Sequence, residues 1–207
     1  MTEDLSTEPG LRERKKAQTR EQIASAAYEV VRDHGIEALT ADAVAQRAGV
    51  SRRTFFNYFT TVESSLEPVI QAFLQDIDQK LAETVIEGGL MESIAQLVRE
   101  HDEPELLERI TVLGIAAHNS AAHRGLFVEC SHGWIDDFSA RLAAAAGNDV
   151  DELYVVGAAT ALVGAEEAAL RVWIRRTGGE INADTIELRR HLLADAIARL
   201  SAGFDTL

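Results

Sequence analysis

The stretch "AGVSRRTFFNYF", residues 48–59, decides the fold of the N-terminal part of the chain. Gly49 suits a left-handed turn that other residues resist, and Ser51 is a favoured N-cap for a helix over residues 52–59. In front of the glycine, Thr40 is a second N-cap candidate, for a short helix that runs to Ala48. Two short helices joined by a tight glycine turn predict a helix-turn-helix.

The four aromatic rings of this stretch divide between two faces of its second helix. At about 100° per residue, Phe55 and Phe59 lie within about 40° of each other and are expected to pack against the preceding helices. The opposite face presents what we call the outward set, which consists of Arg53, Thr54, Phe56, Asn57 and Tyr58.

The outward set is chemically suited to the major groove of DNA. An arginine donates two hydrogen bonds to guanine, an asparagine bridges the edge of adenine, and a threonine or an aromatic ring contacts a thymine methyl. Thr40, Ser51 and the Tyr58 hydroxyl are placed for phosphates, together with the backbone N–H groups at both helix starts. The alternative interpretation is an amphipathic helix with a charged face and incidental aromatic residues.

Charge is unevenly distributed along the chain, whose net charge is −14 over 207 residues. Residues 11–60 hold nine Lys and Arg against six acidic residues, whereas residues 61–207 hold eleven against twenty-five. The sequence therefore predicts a basic N-terminal module, which favours a polyanionic partner, on an acidic body.

The remaining composition indicates a cytoplasmic protein. A single cysteine, Cys130, excludes an internal disulfide and suits a reducing compartment. No export leader is visible at the N-terminus. The longest run without Asp, Glu, Lys, Arg or His, residues 153–165, has 13 residues, fewer than the roughly 20 that a membrane-spanning helix requires.

The periodicity predicts helices nearly throughout, with three prolines in the whole chain and no sustained alternation of apolar and polar residues. A first helix from about Arg14 ends at Gly35, and its apolar face is expected to carry Ile23, Ala27, Val30 and His34. Further helices are predicted at residues 61–87, 91–101, 104–119, 122–146, 150–177 and 184–202, with breaks at Gly88–Gly89, Gly147–Asn148 and Gly178–Gly179.

Two segments of the N-terminal module resemble the tetracycline-repressor (TetR) family of bacterial transcription regulators. They are "REQIASAAYEVVRDHG", residues 20–35, and "LTADAVAQRAGVSRRTFFNYFTTVESSL", residues 39–66. The resemblance implies a three-helix DNA-binding head, a connecting fourth helix, and a body that dimerises and binds a small effector. By position it assigns a phosphate contact to Thr40 and recognition-helix contacts to Ser51, Arg52, Arg53, Thr54, Phe56, Asn57 and Tyr58. The domains expected are a flexible polar N-terminus at 1–10, the head at 11–60, and the effector-binding and dimerisation body at 61–207.

The chain departs from the family pattern in the turn before the fourth helix. The family commonly has a Pro-Ser-Lys-like turn there, whereas this chain has Thr60, Thr61 and Val62. The lysine that contacts a DNA phosphate in the family is therefore absent. Thr60 and Glu63 are expected to form a capping box for helix four. Compensating charge is expected from the basic arm, which consists of Arg12, Arg14, Lys15 and Lys16.

The last two predicted helices carry stripes suited to helix packing. A strip of small residues lies at Gly157, Ala161, Gly164 and Ala168, and an apolar stripe lies at Ile186, Leu193, Ile197 and Leu200. The two stripes could pack together inside one subunit. They could equally form a four-helix bundle with a second copy, which the resemblance favours, and a dimer suits DNA because two related recognition helices contact a near-palindrome.

The middle helices hold the candidates for an effector site, in which a few polar groups stand among apolar ones. These are His118, Asn119, Phe127, Cys130, Trp134 and Phe138. The alternative is that each is an ordinary packed residue.

Titratable pairs in the body are spaced so that their side chains diverge on a helix. They are His118 with His123, Cys130 with His132, Asp136 with Asp137, and Glu166 with Glu167, and the acidic pairs are expected in solvent. The sequence contains no phosphate-binding glycine loop and no nucleophile elbow. It therefore predicts no enzyme, no metal and no cofactor.

The sequence as a whole predicts an all-α, homodimeric, DNA-binding transcription regulator of the bacterial cytoplasm. The function expected is a repressor of a near-palindromic operator that a small-molecule effector releases. The alternative is a helical ligand-binding or scaffold protein whose basic head docks an acidic protein partner. Sequence-selective, salt-dependent DNA binding distinguishes the two.

Overall fold

The computed structural model describes residues 10–83, 90–100, 104–146 and 151–203. All regular secondary structure in these ranges is helical, and no β-strand occurs in them. The all-α fold class predicted from the sequence is confirmed. The predicted flexible N-terminus at 1–10 lies, apart from Gly10, outside the described residues.

The described helices fall into two compact units, one up to Val69 and one from Ile70. The first unit contains α1, α2, α3, the start of α4 and two short 3-10 turns at Ile36–Ala38 and Glu63–Leu66. The bounds are α1 Leu11–His34, α2 Ala41–Arg47, α3 Arg52–Tyr58, α4 Glu67–Glu83, α5 Leu90–Glu100, α6 Pro104–Asn119, α7 Ala121–Ala146, α8 Glu152–Thr177 and α9 Ala183–Ala202.

The core of the first unit forms where α1 meets α2 and α3. Ile23 and Ala27 of α1 and Val44 of α2 are each 0% exposed, and Val30 is also buried. His34, expected on the same face, is exposed instead, because it lies in the last turn of α1, beyond the helices that cover Ile23 and Ala27.

The helices of the second unit begin and end close to the predicted positions, apart from α4. That helix starts at Glu67 rather than at residue 61. Gly178 and Gly179 form the expected break between α8 and α9, with φ of +67° and +83°. The predicted breaks at Gly88–Gly89 and Gly147–Asn148 lie outside the described residues.

The core of the second unit is built around α8. Its alanines allow α9 to approach closely, and α5 and α7 complete the same cluster. The central members are Ile94, Trp134, Phe138, Ala158, Ala159, Leu162, Ala165, Ala169, Leu193 and Ile197.

Candidate nucleic-acid interface and body cavity

The local geometry of α2 and α3 is that of the predicted helix-turn-helix. The Thr40 side chain accepts a hydrogen bond from the Ala43 backbone N–H at 3.2 Å, which caps α2. The Ser51 hydroxyl accepts one from the Thr54 backbone N–H at 3.0 Å, which caps α3. Gly49 between the helices has a φ of +66°, a backbone conformation that residues with a Cβ atom rarely adopt.

The aromatic residues of α3 divide as the helical wheel predicts. Phe55 and Phe59 are 0% and 3% exposed, and their ring centroids lie 5.8 Å apart. Phe56 is 45% exposed, and Arg53 and Asn57 are exposed on the same outer side. The α3 helix thus presents polar side chains outward from a rigid aromatic base.

The two arginines at the start of α3 differ in their surroundings. Arg52 forms an ion pair with Asp42 at 2.6 Å, and its guanidinium lies 5.5 Å from the centroid of the Phe56 ring. Within the described residues no ion pair involves Arg53. Arg53 therefore has the more available charge for a partner molecule.

A basic groove runs alongside the outward set of α3. Cationic residues from the first turns of α1 form one wall, and residues of α3 form the other. The groove is lined by Arg12, Lys15, Lys16, Thr19, Thr54, Asn57 and Tyr58. Positive charge is therefore concentrated beside the side chains that are suited to base edges.

A second charge network joins α1 to the end of α2. Arg47 contacts Asp33 at 2.7 Å and Glu29 at 3.7 Å. A hydrogen bond from Arg32 at 2.9 Å lowers the pKa of the Asp33 carboxyl below its usual value, and the charge of Arg47 acts in the same direction. Arg47 is accordingly committed to an intramolecular network.

The predicted capping box between Thr60 and Glu63 is wrong. The Thr61 backbone N–H donates to the Ser64 hydroxyl at 3.3 Å, and the Ser64 backbone N–H donates to the Thr61 hydroxyl at 3.1 Å. The reciprocal pair forms one residue further along because a 3-10 turn, Glu63–Leu66, buries its last two residues before α4 begins.

The second unit contains a partly open cavity of about 150 Å³ among α4 to α9. Its wall is mainly aliphatic and aromatic, with a few polar side chains. The apolar lining consists of Ile70, Phe73, Leu74, Ile77, Ile94, Leu97, Val98, Leu107, Ile110, Phe127, Trp134, Leu162, Val163, Leu193 and Ile197, and the polar lining of Asp76, Lys80, Ser131, Glu166 and Arg190.

Two of the predicted effector residues, Phe127 and Trp134, line this cavity. The Trp134 ring is held in place because its Nε1–H donates to Asp78 at 3.0 Å and its face stacks on Phe138 at 4.8 Å. Asp78 is in turn paired with Arg141 at 2.6 Å. The hydrogen bond and the stacking therefore fix the orientation of the Trp134 ring in the cavity wall.

The other four predicted effector residues lie outside the lining of this cavity. Cys130 and Phe138 are 5% and 6% exposed and do not line the cavity. His118 and Asn119 are exposed, because they lie in the last turn of α6, beyond its packed face.

The charged residues of the cavity wall already have partners within the chain. Lys80 contacts Asp76 at 3.0 Å, one helical turn away on α4. Arg190 pairs with Glu187 at 2.5 Å on α9. The hydrogen bond from Arg190 lowers the pKa of the Glu187 carboxyl below its usual value.

An ion pair between a buried arginine and a half-buried glutamate lies beside the cavity and was not predicted from the sequence. The Arg189 side chain is 0% exposed and bonds to Glu166 Oε1. Glu166 was expected in solvent, but α9 covers it. A signal was present, since Ile186 and Leu193 of the apolar stripe are seven residues apart and Arg189 occupies the stripe position between them.

The strip of small residues on α8 has no partner within the described part of the chain. Gly157, Gly164 and Ala168 are exposed and Ala161 is half-buried. A Cβ added at Gly157 or Gly164 would meet nothing within 4 Å. This face of α8 also carries exposed apolar side chains near its start, with Leu153 at 79% and Tyr154 at 57%.

Three of the interface residues predicted on α9 are buried within the single chain, which is the alternative packing that the sequence left open. Ile186, Leu193 and Ile197 are 6%, 9% and 2% exposed in the single chain. They pack within their own subunit, where α9 faces α5 and α8, so little of their surface is left for a second copy. Leu200 is half-buried.

Comparisons with known proteins agree with this geometry. Residues 23–63, which contain the helix-turn-helix, match the model of a family described as bacterial regulatory proteins, tetR family. A search of curated proteins found no match.

Several solved structures share the fold of nearly the whole chain. A protein from Syntrophomonas wolfei assigned to the TetR family is 17% identical, with a TM-score of 0.62, covering 92% of this chain and 98% of that one. The fatty acid degradation regulator FadR from Bacillus halodurans is 18% identical, with a TM-score of 0.58 and coverage of 94% and 98%. FadR from Bacillus subtilis, in complex with stearoyl-CoA, is 18% identical, with a TM-score of 0.56 and coverage of 86% and 97%.

Proposed function

We propose that this chain, a member of the tetR family of bacterial regulatory proteins, is a homodimeric repressor that leaves its DNA site when a small molecule occupies the body. Membership of the family makes the chain a DNA-binding transcriptional regulator and not an enzyme. The repressor role, the palindromic site, the dimer and the effector are the parts that we propose.

The observation that carries the proposal is the division of α3 into two faces. Phe55 and Phe59 are buried, and they support a helix whose other side offers Arg53 and Asn57 without further rearrangement. In the proposed complex Arg53 bonds to guanine and Asn57 to adenine, while Thr54 contacts a thymine methyl.

Phosphate contacts are proposed around these base contacts. Phe56 and Tyr58 flank the base-contacting residues, and the Tyr58 hydroxyl is suited to a phosphate oxygen. We propose further contacts to the phosphates of the DNA backbone from Thr40, Ser51 and Arg52. Because Val62 replaces the usual lysine, we propose that the lining of the basic groove compensates, with Arg12, Lys15 and Lys16 beside the outward set.

The test of this proposal is binding to DNA selected from a random pool by the full-length protein. We expect the selected duplex to be a near-palindrome and to bind far more tightly than a scrambled duplex of equal length. The affinity should fall steeply with salt, because each neutralised phosphate releases counterions. Equal affinity for every sequence would instead favour the scaffold protein with an acidic partner.

Substitution of the base-contacting residues is expected to relax specificity. Asn57→Ala and Arg53→Ala should each weaken binding to the selected duplex by about 1–3 kcal/mol and reduce discrimination at one position of each half-site. The measurement is fluorescence anisotropy on single-base variants of the duplex. Asn119→Ala and Arg175→Ala, the same exchanges at exposed positions of the second unit, are the controls. Unchanged base preference in both head variants would contradict the assignment.

A homodimer is supported by the exposed face of α8. By length and composition alone, this helix could cross a membrane. Only 28% of its most apolar segment is buried inside the chain. We propose that a second copy covers the small-residue strip in a cytoplasmic dimer, since small residues allow two helices to approach closely. The resulting two-fold axis suits a palindromic site.

Enlarging the strip is expected to weaken the dimer. Gly164→Leu should overfill the proposed contact and raise the dimer dissociation constant by about 5–150-fold, the equivalent of 1–3 kcal/mol of overpacking. Sedimentation equilibrium measures the change. Gly125→Leu on α7 is the matched control, because its Cβ also enters open space within the chain. A dimer of Gly164→Leu as tight as that of the wild type would refute the placement.

An effector is proposed to act through the cavity of the second unit. The cavity is mainly apolar with a few polar groups, as ligand sites commonly are. In the proposed mechanism, the ligand favours a body conformation in which the two recognition helices are wrongly spaced for adjacent grooves. A coupling of about 1–3 kcal/mol is sufficient to change DNA affinity about 5–150-fold.

A further inference from the structure

We infer that the cavity binds an uncharged, mainly apolar molecule that carries one hydrogen-bond donor, and that this donor bonds to Glu166. The inference rests on the proposed function, in which the cavity takes the effector, and it specifies the chemistry of that ligand.

The size and lining of the cavity favour a compact apolar body. A volume of about 150 Å³ is that of cavities that hold a single aromatic ring. The Phe127 and Trp134 rings form part of the wall, and the position of the Trp134 ring is set by its bond to Asp78 at 3.0 Å. An aromatic ring of a ligand can therefore pack against the Trp134 ring without a change in the position of that ring.

The charges around the cavity disfavour an ionic ligand. Asp76 and Lys80 neutralise each other at 3.0 Å, and Arg190 is neutralised by Glu187 at 2.5 Å. Glu166 is neutralised by the buried Arg189. A ligand carrying a net charge would have to separate one of these pairs or remain without a counterion in an apolar site, and both are unfavourable.

The Glu166 carboxylate supplies the polar contact. Its Oε1 accepts from Arg189, whereas its buried Oε2 accepts no hydrogen bond from any described residue. The Glu166 side chain is 29% exposed and reaches the cavity wall. Because the terminal torsion of a glutamate is soft, the carboxylate turns to accept from a donor in the cavity. Burial of such an oxygen without a partner is unfavourable, so a ligand hydroxyl stabilises the site.

The wild-type protein tests this inference with four ligands that share one ring and one ethyl group. They are 4-ethylphenol, 4-ethylanisole, 4-ethylbenzoate and 4-ethylbenzylammonium, titrated at pH 7 by isothermal calorimetry into the full-length protein. We expect 4-ethylphenol to bind about tenfold or more tightly than its methyl ether, which lacks the donor. The anion and the cation should bind more weakly than the ether.

A pair of variants assigns the contact to Glu166. Glu166→Gln keeps one oxygen for Arg189 and presents an amide N–H₂ group to the cavity, which can donate to the oxygen of either ligand, so the difference in affinity between 4-ethylphenol and 4-ethylanisole should disappear. Glu167→Gln, at an exposed neighbour that contacts Arg171, should leave both affinities unchanged. If Glu166→Gln does not fold by circular dichroism, the wild-type comparison of phenol and ether decides.

Three outcomes would overturn the inference: equal affinity for the phenol and the ether, tighter binding of either ion, or binding of none of the four. In each case a sequence-selective complex with DNA would still stand, because DNA binding is measured separately. Loss of sequence-selective DNA binding with tight phenol binding would leave the ligand chemistry intact and contradict the proposed function.

Discussion

Replacing Phe55 with alanine is expected to lower the free energy of unfolding of the first unit by about 3–5 kcal/mol, the range for a buried phenylalanine. Phe55 is 0% exposed and contacts the rings of both Phe56 and Phe59. Alanine would leave a cavity beneath α3, and a helix of 7 residues cannot hold its orientation by itself. DNA binding should therefore be lost together with stability.

The neighbouring phenylalanine provides a matched control for this experiment. Phe56→Ala removes the same atoms from a side chain that is 45% exposed. It should change stability by less than about 1 kcal/mol, through the lost contacts with the Phe55 ring and the Arg52 guanidinium. Urea unfolding followed by circular dichroism measures both variants. Equal losses for the two would show that the rings are not divided between a core and an outer face.

Breaking the buried pair between Glu166 and Arg189 is expected to have an effect of similar size. Glu166→Leu leaves the Arg189 guanidinium, which is 0% exposed, without its carboxylate. Removing one partner of a buried pair costs about 3–5 kcal/mol, because a charge then stays in an apolar environment. The free energy of unfolding of the second unit should fall by that amount.

Replacing both partners distinguishes a lost charge partner from lost packing. The double variant Glu166→Leu with Arg189→Met removes both charges and keeps most of the volume, so it should be more stable than Glu166→Leu alone by at least about 1 kcal/mol. Glu167→Leu, on the exposed side of α8, is the control for the effect of leucine on the helix. A double variant no more stable than Glu166→Leu alone would refute this account of the pair.

The head could be predicted closely because its signals are local. Thr40 and Ser51 cap helices within three residues of themselves, and Gly49 has the positive φ that its position demanded. The division of α3 into faces follows from the helical period alone. The turn before α4 was predicted less well. Thr60 and Thr61 have adjacent hydroxyls, and either could accept a capping hydrogen bond. Because the following 3-10 turn buries its last two residues, the Thr61 hydroxyl accepts the bond.

The body could be predicted in its helices but not in its site. Periodicity and glycines located α5 to α9 within a few residues. Of the six effector candidates, Phe127 and Trp134 line the cavity, and the polar lining residues were not foreseen. A polar residue on a helix is equally compatible with solvent and with a buried pair until the neighbouring helix is in place.

The sequence by itself determined the helices, their caps and the outward side chains of α3, because hydrogen bonds and sterics over a few residues produce them. Only the tertiary structure decided that Glu166 meets Arg189, 23 residues away, and that α9 turns its apolar stripe inward and leaves the small residues of α8 exposed. The physical reason is that side-chain packing depends on which helix faces meet in the folded chain. Those contacts determine which charged residues are buried and therefore need a partner of opposite charge.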